Sequence, residues 1–212
     1  MDKIDMWEIE NGLNVGVICG VDEAGRGPLA GPVVCAAVIM PLDDESIIVG
    51  VDDSKKLSAK KREALAEEIK KRALAYTIVE VSEKEIDEIN ILNASILAMH
   101  RALEQVEKKL KFDHIIIDGN RFKPYKKVAY QTVVKGDGKY MSIAAASILA
   151  KTHRDEYMCR LHDEYPQYDW KGNKGYPTKK HRAAIEQYGT TPYHRMTFRL
   201  LDTQQTLNFD YE

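Results

Sequence analysis

Apolar residues along the chain follow two periods, one typical of strands and one typical of helices. Two β-rich segments, residues 14–21 and 32–40, are joined by a turn of glycine and proline, which predicts two consecutive antiparallel strands. Three further β-rich segments follow, at residues 76–81, 112–118 and 128–134. The sequence therefore predicts a sheet of five strands.

Helical periodicity appears between these segments. From residue 92 to residue 110, apolar residues are spaced alternately four and three apart, as on the buried face of an amphipathic helix. Ser58 is a predicted N-cap, and further helices are predicted over residues 58–75, 140–165 and 178–188. Strands and helices in this order predict an α/β fold in which helices flank a mixed sheet.

Composition narrows the class of protein. The chain has 212 residues, of which 44% are hydrophobic and 30% are charged, which is typical of a globular protein and excludes collagen-like and disordered chains. Its apolar runs are far shorter than the roughly 20 residues that span a bilayer, and its N-terminus lacks a secretory leader. We therefore expect a cytoplasmic protein without membrane contact. Its three widely spaced cysteines are predicted to be free thiols.

Charge is distributed unevenly along the chain. Residues 121–212 contain 16 Lys and Arg against 10 Asp and Glu, whereas residues 1–120 contain 15 against 23. Seven basic residues lie between residues 171 and 199: Lys171, Lys174, Lys179, Lys180, Arg182, Arg195 and Arg199. Tyrosine and histidine side chains lie among them, and such a mixture suits a nucleic-acid backbone. A solvated helix face is the alternative interpretation of this stretch.

Carboxylates stand where predicted strands end. Asp22 and Glu23 come at the end of the first strand, Asp118 ends the isoleucine-rich strand, and Asp137 follows the next one. Carboxylate oxygens are the ligands that Mg²⁺ and Mn²⁺ prefer. Adjacent strand residues point to opposite faces, so we expect the first strand to end or bulge near Asp22, and Gly25 makes an ending there plausible.

Other kinds of catalytic site fit the sequence less well. Residues 25–30 match the dinucleotide pattern G-x-G-x-x-A, but a β-rich segment follows where that motif requires a helix. The chain has neither a G-x-x-x-x-G-K-[ST] phosphate loop nor a histidine pair at helical i,i+4 spacing. We expect His153, His162 and His181 to be surface or packing residues, and Asp155 to form a structural ion pair.

Six blocks of sequence, taken together, resemble ribonuclease HII in its bacterial form. They are GVDEAGRGPLAGPV at 20–33, DSKKLS at 53–58, IDGN at 117–120, VKGD at 134–137, SIAAASILAK at 142–151 and KGYPT at 174–178. The resemblance covers about residues 14–200. It implies a ribonuclease H-like fold in which residues 1–165 form the catalytic core. Residues 166–212 would form a small C-terminal helical extension that contributes to substrate binding.

The resemblance also implies an activity. A monomer would use two divalent cations, Mn²⁺ or Mg²⁺, to cleave RNA that is hybridised to DNA or embedded in a DNA duplex. The cut would fall on the 5′ side of a ribonucleotide and leave 3′-hydroxyl and 5′-phosphate ends. Two alternatives are a related two-metal nuclease that acts on DNA structures and a non-catalytic nucleic-acid-binding module.

Family roles are implied for four groups of residues. The metal-binding and catalytic acids would be Asp22, Glu23, Asp118 and Asp137. The loop formed by Gly25, Arg26 and Gly27 would read the ribose 2′-hydroxyl, which distinguishes RNA from DNA. Tyr176 would pack on the deoxyribose that follows the ribonucleotide. Candidate phosphate contacts are Lys55, Lys56, Lys174 and Thr178.

The C-terminal tail carries one further motif. Residues Gln205 to Phe209 read Q-T-L-N-F, which resembles the short Q-x-L-x-F peptide that docks on bacterial sliding clamps. The resemblance implies a sliding clamp as a partner.

Overall fold

A mixed sheet of five strands is the centre of the fold. The structure, a computed structural model, describes residues 6, 9–43, 48, 50–51, 54 and 57–201. The strands are β1 (Ile18–Ala24), β2 (Val33–Ile39), β3 (Ala75–Val81), β4 (His114–Asp118) and β5 (Ala129–Val133). Their order across the sheet is β3-β2-β1-β4-β5; β1 is antiparallel to β2 and parallel to β4. The predicted mixed five-stranded sheet is confirmed.

Helices cover both faces of this sheet. They are α1 (Ala59–Arg72), α2 (Glu83–Lys109), α3 (Met141–Glu164), α4 (Trp170–Asn173) and α5 (Lys179–Tyr188). Ser58 caps α1 as predicted, since its hydroxyl accepts a hydrogen bond from the Lys61 amide. The prediction that α1 continues to residue 75 is wrong. The Leu74 amide already donates to the Ile39 carbonyl, which starts the pairing of β3 with β2.

Helix α2 begins earlier than apolar periodicity predicts. Its first residue is Glu83, where Ser82 and Glu85 form a capping box that satisfies two backbone amides. Asn90 interrupts the helix with a positive φ of 64°, and its Oδ1 accepts hydrogen bonds from the amides of Leu92 and Asn93. The predicted start at residue 92 therefore corresponds to the second segment of a kinked helix.

The two faces of β1 contact different helices. Cys19 and Val21 are buried in a cluster with residues of α2. Gly20 faces α3, and a Cβ atom there would lie 2.3 Å from the backbone carbon of Ser142. This close approach places the start of α3 beside the middle of β1, two residues before Asp22.

The segment after residue 165 packs on α3. Tyr168, Trp170 and Ile185 share a buried cluster with Met158 of α3 and Leu29 of the β1–β2 connection. A backbone bridge between Ala30 and His194 continues this contact. The proposed boundary at residue 165 remains a prediction. Within the described residues, no helix is long and apolar enough to cross a membrane.

Candidate active site

Three carboxylates meet at one edge of the sheet. Strands β1 and β4 are parallel, and their last paired residues are Val21 and Ile117. The next residues, Asp22 and Asp118, are therefore neighbours at the same edge. Together with Glu23 they line one cavity of about 550 Å³.

The first strand does not end before these acids. Its pairing with β2 continues through Glu23 to Ala24, so the expectation that the strand ends near Asp22 is wrong. The pairing of β1 with β4, by contrast, stops at Val21. Beyond Val21, the side of β1 that faces β4 no longer pairs with that strand. The Glu23 side chain can therefore reach the cavity that Asp22 also lines.

Burial and mutual repulsion disfavour negative charge on these acids. Burial raises the pKa of Asp22 well above its usual range, and the carboxylates of Glu23 and Asp118 raise it further. Burial also raises the pKa of Glu23; the Arg26 guanidinium, 3.4 Å from Glu23 Oε1, acts in the opposite direction, while Asp118 adds to the increase. The Glu23 amide donates to Asp22 Oδ1 at 2.7 Å.

This donor set fits a divalent cation. Among the described residues, Glu23 Oε2 is buried without a hydrogen-bond partner, which is costly for a carboxylate oxygen unless another group satisfies it. A cation would satisfy that oxygen and relieve the repulsion that adds to the effect of burial on both pKa values. In the part of the chain that the structure describes, no three acidic, histidine or cysteine side chains already enclose a metal position. The carboxylates are thus an open set of oxygen donors.

Asp137 lies next to this set without lining the cavity. It is buried in a 3-10 turn, Gly136–Gly138, which follows Lys135 in the left-handed conformation. The Gly136 amide donates to Asp118 Oδ1 at 2.7 Å, so the turn is attached to one of the cavity acids. The structure therefore brings three of the four predicted acids together and holds the fourth beside them.

The predicted recognition loop and the tyrosine share the same cavity. Gly25, Arg26 and Gly27 line it together with Tyr176. A Cβ atom on Gly27 would lie 3.6 Å from the ring of Tyr176, which is 44% exposed. A substrate bound at the carboxylates would therefore meet both features.

The four candidate phosphate contacts are placed differently. Lys55 and Lys56 lie outside the described residues. The Lys174 ammonium is 3.0 Å from Cys159 Sγ and lines a neighbouring cavity of about 480 Å³ rather than the carboxylate cavity. Thr178 is the N-cap of α5, and its hydroxyl accepts a hydrogen bond from the His181 amide at 3.1 Å.

Sequence reasoning missed several residues of the cavity wall. Ser54 and Ser147 line it, with their hydroxyls 2.9 Å apart, and the Ser147 hydroxyl lowers the pKa of Asp22. Lys151 also lines it and pairs with Asp155 at 2.5 Å. The i,i+4 spacing of Lys151 and Asp155 was the available signal for this pair. Asp155 also pairs with Arg62 at 3.0 Å, which confirms its predicted structural ion pair.

Part of the basic stretch is buried. Arg195, His181 and His194 are each no more than 2% exposed. The interpretation of the basic stretch as a nucleic-acid contact therefore does not hold for Arg195. Both imidazoles pack against Trp170, whose Nε1 donates to His181 Nε2. Burial, followed by the neighbouring His181, lowers the pKa of His194 to about 4. His181 is a packing residue, as predicted.

Comparisons with known proteins all indicate the same family. A sequence model described as ribonuclease HII matches residues 19–201. Ribonuclease HII of Bacteroides thetaiotaomicron is 63% identical over 191 residues, which cover 90% of this chain and 94% of the relative.

Solved structures give the same result. Ribonuclease H2 from Pyrococcus horikoshii OT3 superposes with a TM-score of 0.74 at 28% identity, covering 87% of this chain and 94% of that one. A ribonuclease HII from Archaeoglobus fulgidus, solved in complex with PCNA, has a TM-score of 0.73 at 29% identity. The superposition covers 90% of this chain and 98% of the archaeal protein.

Proposed function

The chain belongs to the ribonuclease HII family and is a ribonuclease H endonuclease, and from this premise we propose that it nicks duplex DNA 5′ of an embedded ribonucleotide. It also cleaves the RNA strand of RNA–DNA hybrids, leaving 3′-hydroxyl and 5′-phosphate ends. One observation carries the proposal: the buried acids Asp22 and Glu23 share a cavity with the Gly25–Gly27 loop and Tyr176.

Asp22, Glu23 and Asp118, with Asp137 beside them, are the proposed ligands of two divalent cations, Mn²⁺ or Mg²⁺. Such ions, when bound, activate a water molecule and stabilise the leaving 3′ oxygen. The unsatisfied Glu23 Oε2 and the raised pKa values of Asp22 and Glu23 support this assignment.

Other residues of the chain bind and orient the substrate. The backbone of Gly25, Arg26 and Gly27 hydrogen-bonds the ribose 2′-hydroxyl, which glycine permits because it allows close approach. The exposed face of Tyr176 packs on the next deoxyribose. Lys151 supplies positive charge beside the scissile phosphate, while Lys55, Lys56, Lys174 and Thr178 remain candidates for phosphate contacts farther along the backbone.

The decisive experiment maps the cut in a DNA duplex that carries one ribonucleotide, with Mn²⁺, Mg²⁺ or EDTA. We expect a metal-dependent nick on the 5′ side of that ribonucleotide and no cut in the matched all-deoxy duplex. Cleavage of both duplexes would favour a nuclease of DNA structures. Binding without turnover in any metal would favour a non-catalytic module.

We further propose a sliding clamp as a partner, bound through Gln205 to Phe209, which lie outside the described residues. The archaeal relative crystallised with PCNA supports a partner of this class. Truncation after Asp202 should abolish clamp binding without loss of nicking, and unchanged clamp binding would end the proposal. Because the substrate is chromosomal, we propose a cytoplasmic location.

A further inference from the structure

Arg195 is a fully buried cation that hydrogen-bonds to the backbone of the recognition loop. Its Nη2 donates to the Gly25 carbonyl at 2.6 Å, and its Nη1 donates to the Arg26 carbonyl at 3.1 Å. Its Nε and Nη2 also donate to the Gly31 carbonyl, at 2.9 and 2.7 Å. One guanidinium group therefore holds both ends of the β1–β2 connection.

Arg154 holds the same connection from α3. It is also buried and donates to the carbonyls of Ala30 and Pro32 at 3.0 Å each. A third hydrogen bond, again at 3.0 Å, reaches the carbonyl of Lys174, two residues before Tyr176. The loop and the segment that carries the tyrosine thus share one anchor.

The direction of the loop carbonyls fixes the direction of its amides. The described peptide bonds are all trans, and in a trans peptide the carbonyl of one residue and the N–H of the next point in opposite directions. Because the Gly25 and Arg26 carbonyls point at Arg195, the N–H groups of Arg26 and Gly27 point away from it. Both residues line the carboxylate cavity, so amides directed away from Arg195 can act as donors on its wall.

Gly25 permits this arrangement. Its φ is 98°, and a Cβ atom there would lie 2.2 Å from Arg154 Nε and 2.7 Å from the Pro32 carbonyl. The loop backbone therefore fits directly around the guanidinium groups.

We propose that Arg195 is a positioning residue for ribonucleotide recognition, because it aims the Arg26 and Gly27 amides at the 2′-hydroxyl. The inference rests on the proposed function of the loop. Arg195 does not touch the substrate; it acts through the two carbonyls that it binds.

The guanidinium fork is what this role requires. Arginine presents five N–H donors in a rigid plane, whereas lysine has one flexible ammonium group that cannot span the carbonyls of Gly25, Arg26 and Gly31 together. Burying this charge is costly. Burial and the nearby Arg154 lower the pKa of Arg195 to about 9, and Glu83 partly offsets their effect.

The test compares the binding of two duplexes in EDTA, one with a single ribonucleotide and one all-deoxy. For wild type we expect tighter binding of the ribonucleotide duplex. Arg195→Lys should reduce this preference about tenfold, the effect of one misplaced hydrogen bond, with little change in all-deoxy affinity. Arg72→Lys, an exposed arginine paired with Glu68, is the matched control and should retain the preference.

Each outcome of this test decides a different question. A folded Arg195→Lys variant with full preference, or with equal losses on both duplexes, would overturn the positioning role. A wild-type protein without any preference would instead overturn the proposed function.

A second measurement uses the wild-type protein, in case the variant does not fold. In ¹⁵N NMR spectra, the amide resonances of Arg26 and Gly27 should shift with the ribonucleotide duplex and not with the all-deoxy duplex. Equal shifts with both duplexes would overturn the proposed reading of the 2′-hydroxyl by this loop, and with it the role of Arg195.

Discussion

Buried carboxyl groups at two places can be compared, one at the cavity and one near the guanidinium groups of Arg195 and Arg154. Asp22 and Glu23 repel each other across the cavity, which favours binding of a cation. Glu83, at the start of α2, lies near the positive charges of Arg195 and Arg154, yet burial still raises its pKa to about 7. The same side-chain chemistry therefore has different consequences at the two places.

Asp118 provides the clearest test of the carboxylate site. Asp118→Asn keeps the shape of the side chain and removes its charge, so we expect the variant to fold and to bind hybrid. Cleavage should fall by more than about a hundredfold, because loss of a metal ligand costs more than loss of a supporting hydrogen bond. Initial rates on an RNA–DNA hybrid, with circular dichroism as the folding control, measure this. Cleavage at the wild-type rate would exclude a metal role for Asp118.

Glu83 should make stability depend on pH. Its pKa is about 7 in the folded protein against an ordinary value of 4.5, so the folded state holds the proton more strongly. Stability from this group is complete below pH 4.5 and is lost as the pH rises through 7. The free energy of unfolding of Glu83→Gln, relative to wild type, should increase by about 3 kcal/mol between pH 4.5 and 8.

Urea unfolding at several pH values measures this difference. Subtracting the wild-type curve removes the contributions of all other titrating groups that the substitution leaves unchanged. A difference that does not vary with pH would show that Glu83 titrates normally.

At the scale of helices and strands, the sequence pattern predicted the elements well, and local side-chain hydrogen bonds account for two features that it missed. The five strands follow from β-rich segments, and the second segment of α2 follows from the spacing of its apolar residues, because that spacing reflects which face is buried. The kink at Asn90 depends on hydrogen bonds from one side chain, which periodicity does not detect. The S-x-x-E signal at Ser82 was available in the sequence and marks the true start of α2.

The candidate site was predictable to a similar extent. The resemblance supplied Asp22, Glu23 and Asp118, and the structure places them in one cavity. Local sequence could not show that Arg195 is buried, because a basic residue in a basic stretch is normally exposed. Its partners lie near the other end of the chain, and only the fold brings them together.

The close approach of α3 to β1 leads to a prediction about one glycine. An alanine at Gly20 would place its Cβ 2.3 Å from the Ser142 backbone carbon and 2.6 Å from the Ile143 nitrogen. Backbone atoms cannot move aside cheaply, so Gly20→Ala should destabilise the protein by about 3 kcal/mol or more. Denaturant unfolding measures the loss.

Gly138→Ala is the matched control for that substitution. A Cβ atom there has no neighbour within 4 Å, so its effect should stay within about 0.5 kcal/mol. Equal stability of the two variants would show that α3 can move away from β1 without cost.

On the scale of the whole molecule, contacts between distant segments hold the site. Glu10 accepts a hydrogen bond from the Ser142 amide at 2.9 Å and so caps the start of α3 from far away in sequence. Arg195 connects the C-terminal segment to the β1–β2 connection. The extension is therefore part of the framework that shapes the cavity.

The fold also changes the expected salt dependence of substrate binding. Seven phosphate contacts from the basic stretch would give a log–log slope of about −6. Arg195 is buried and therefore makes none of these contacts. We expect a contribution of at most about −5.4 from this stretch.

Binding in EDTA over a range of salt concentrations tests this expectation. Lys171 is exposed, and Lys171→Ala should make the slope shallower by about 0.9. A binding affinity that does not change with salt concentration would contradict a role of the stretch in binding phosphates.

The contact between Arg195 and Gly25 has a consequence for the synthesis of the protein. The two residues are separated by 170 positions, so a growing chain carries the loop long before it carries the guanidinium group that orients it. The four proposed metal-binding acids, at residues 22, 23, 118 and 137, are all translated earlier than residue 195. A nascent chain can therefore complete this set of acids while the loop proposed to read the ribonucleotide is still unanchored, and that anchoring waits until residue 195 has been translated.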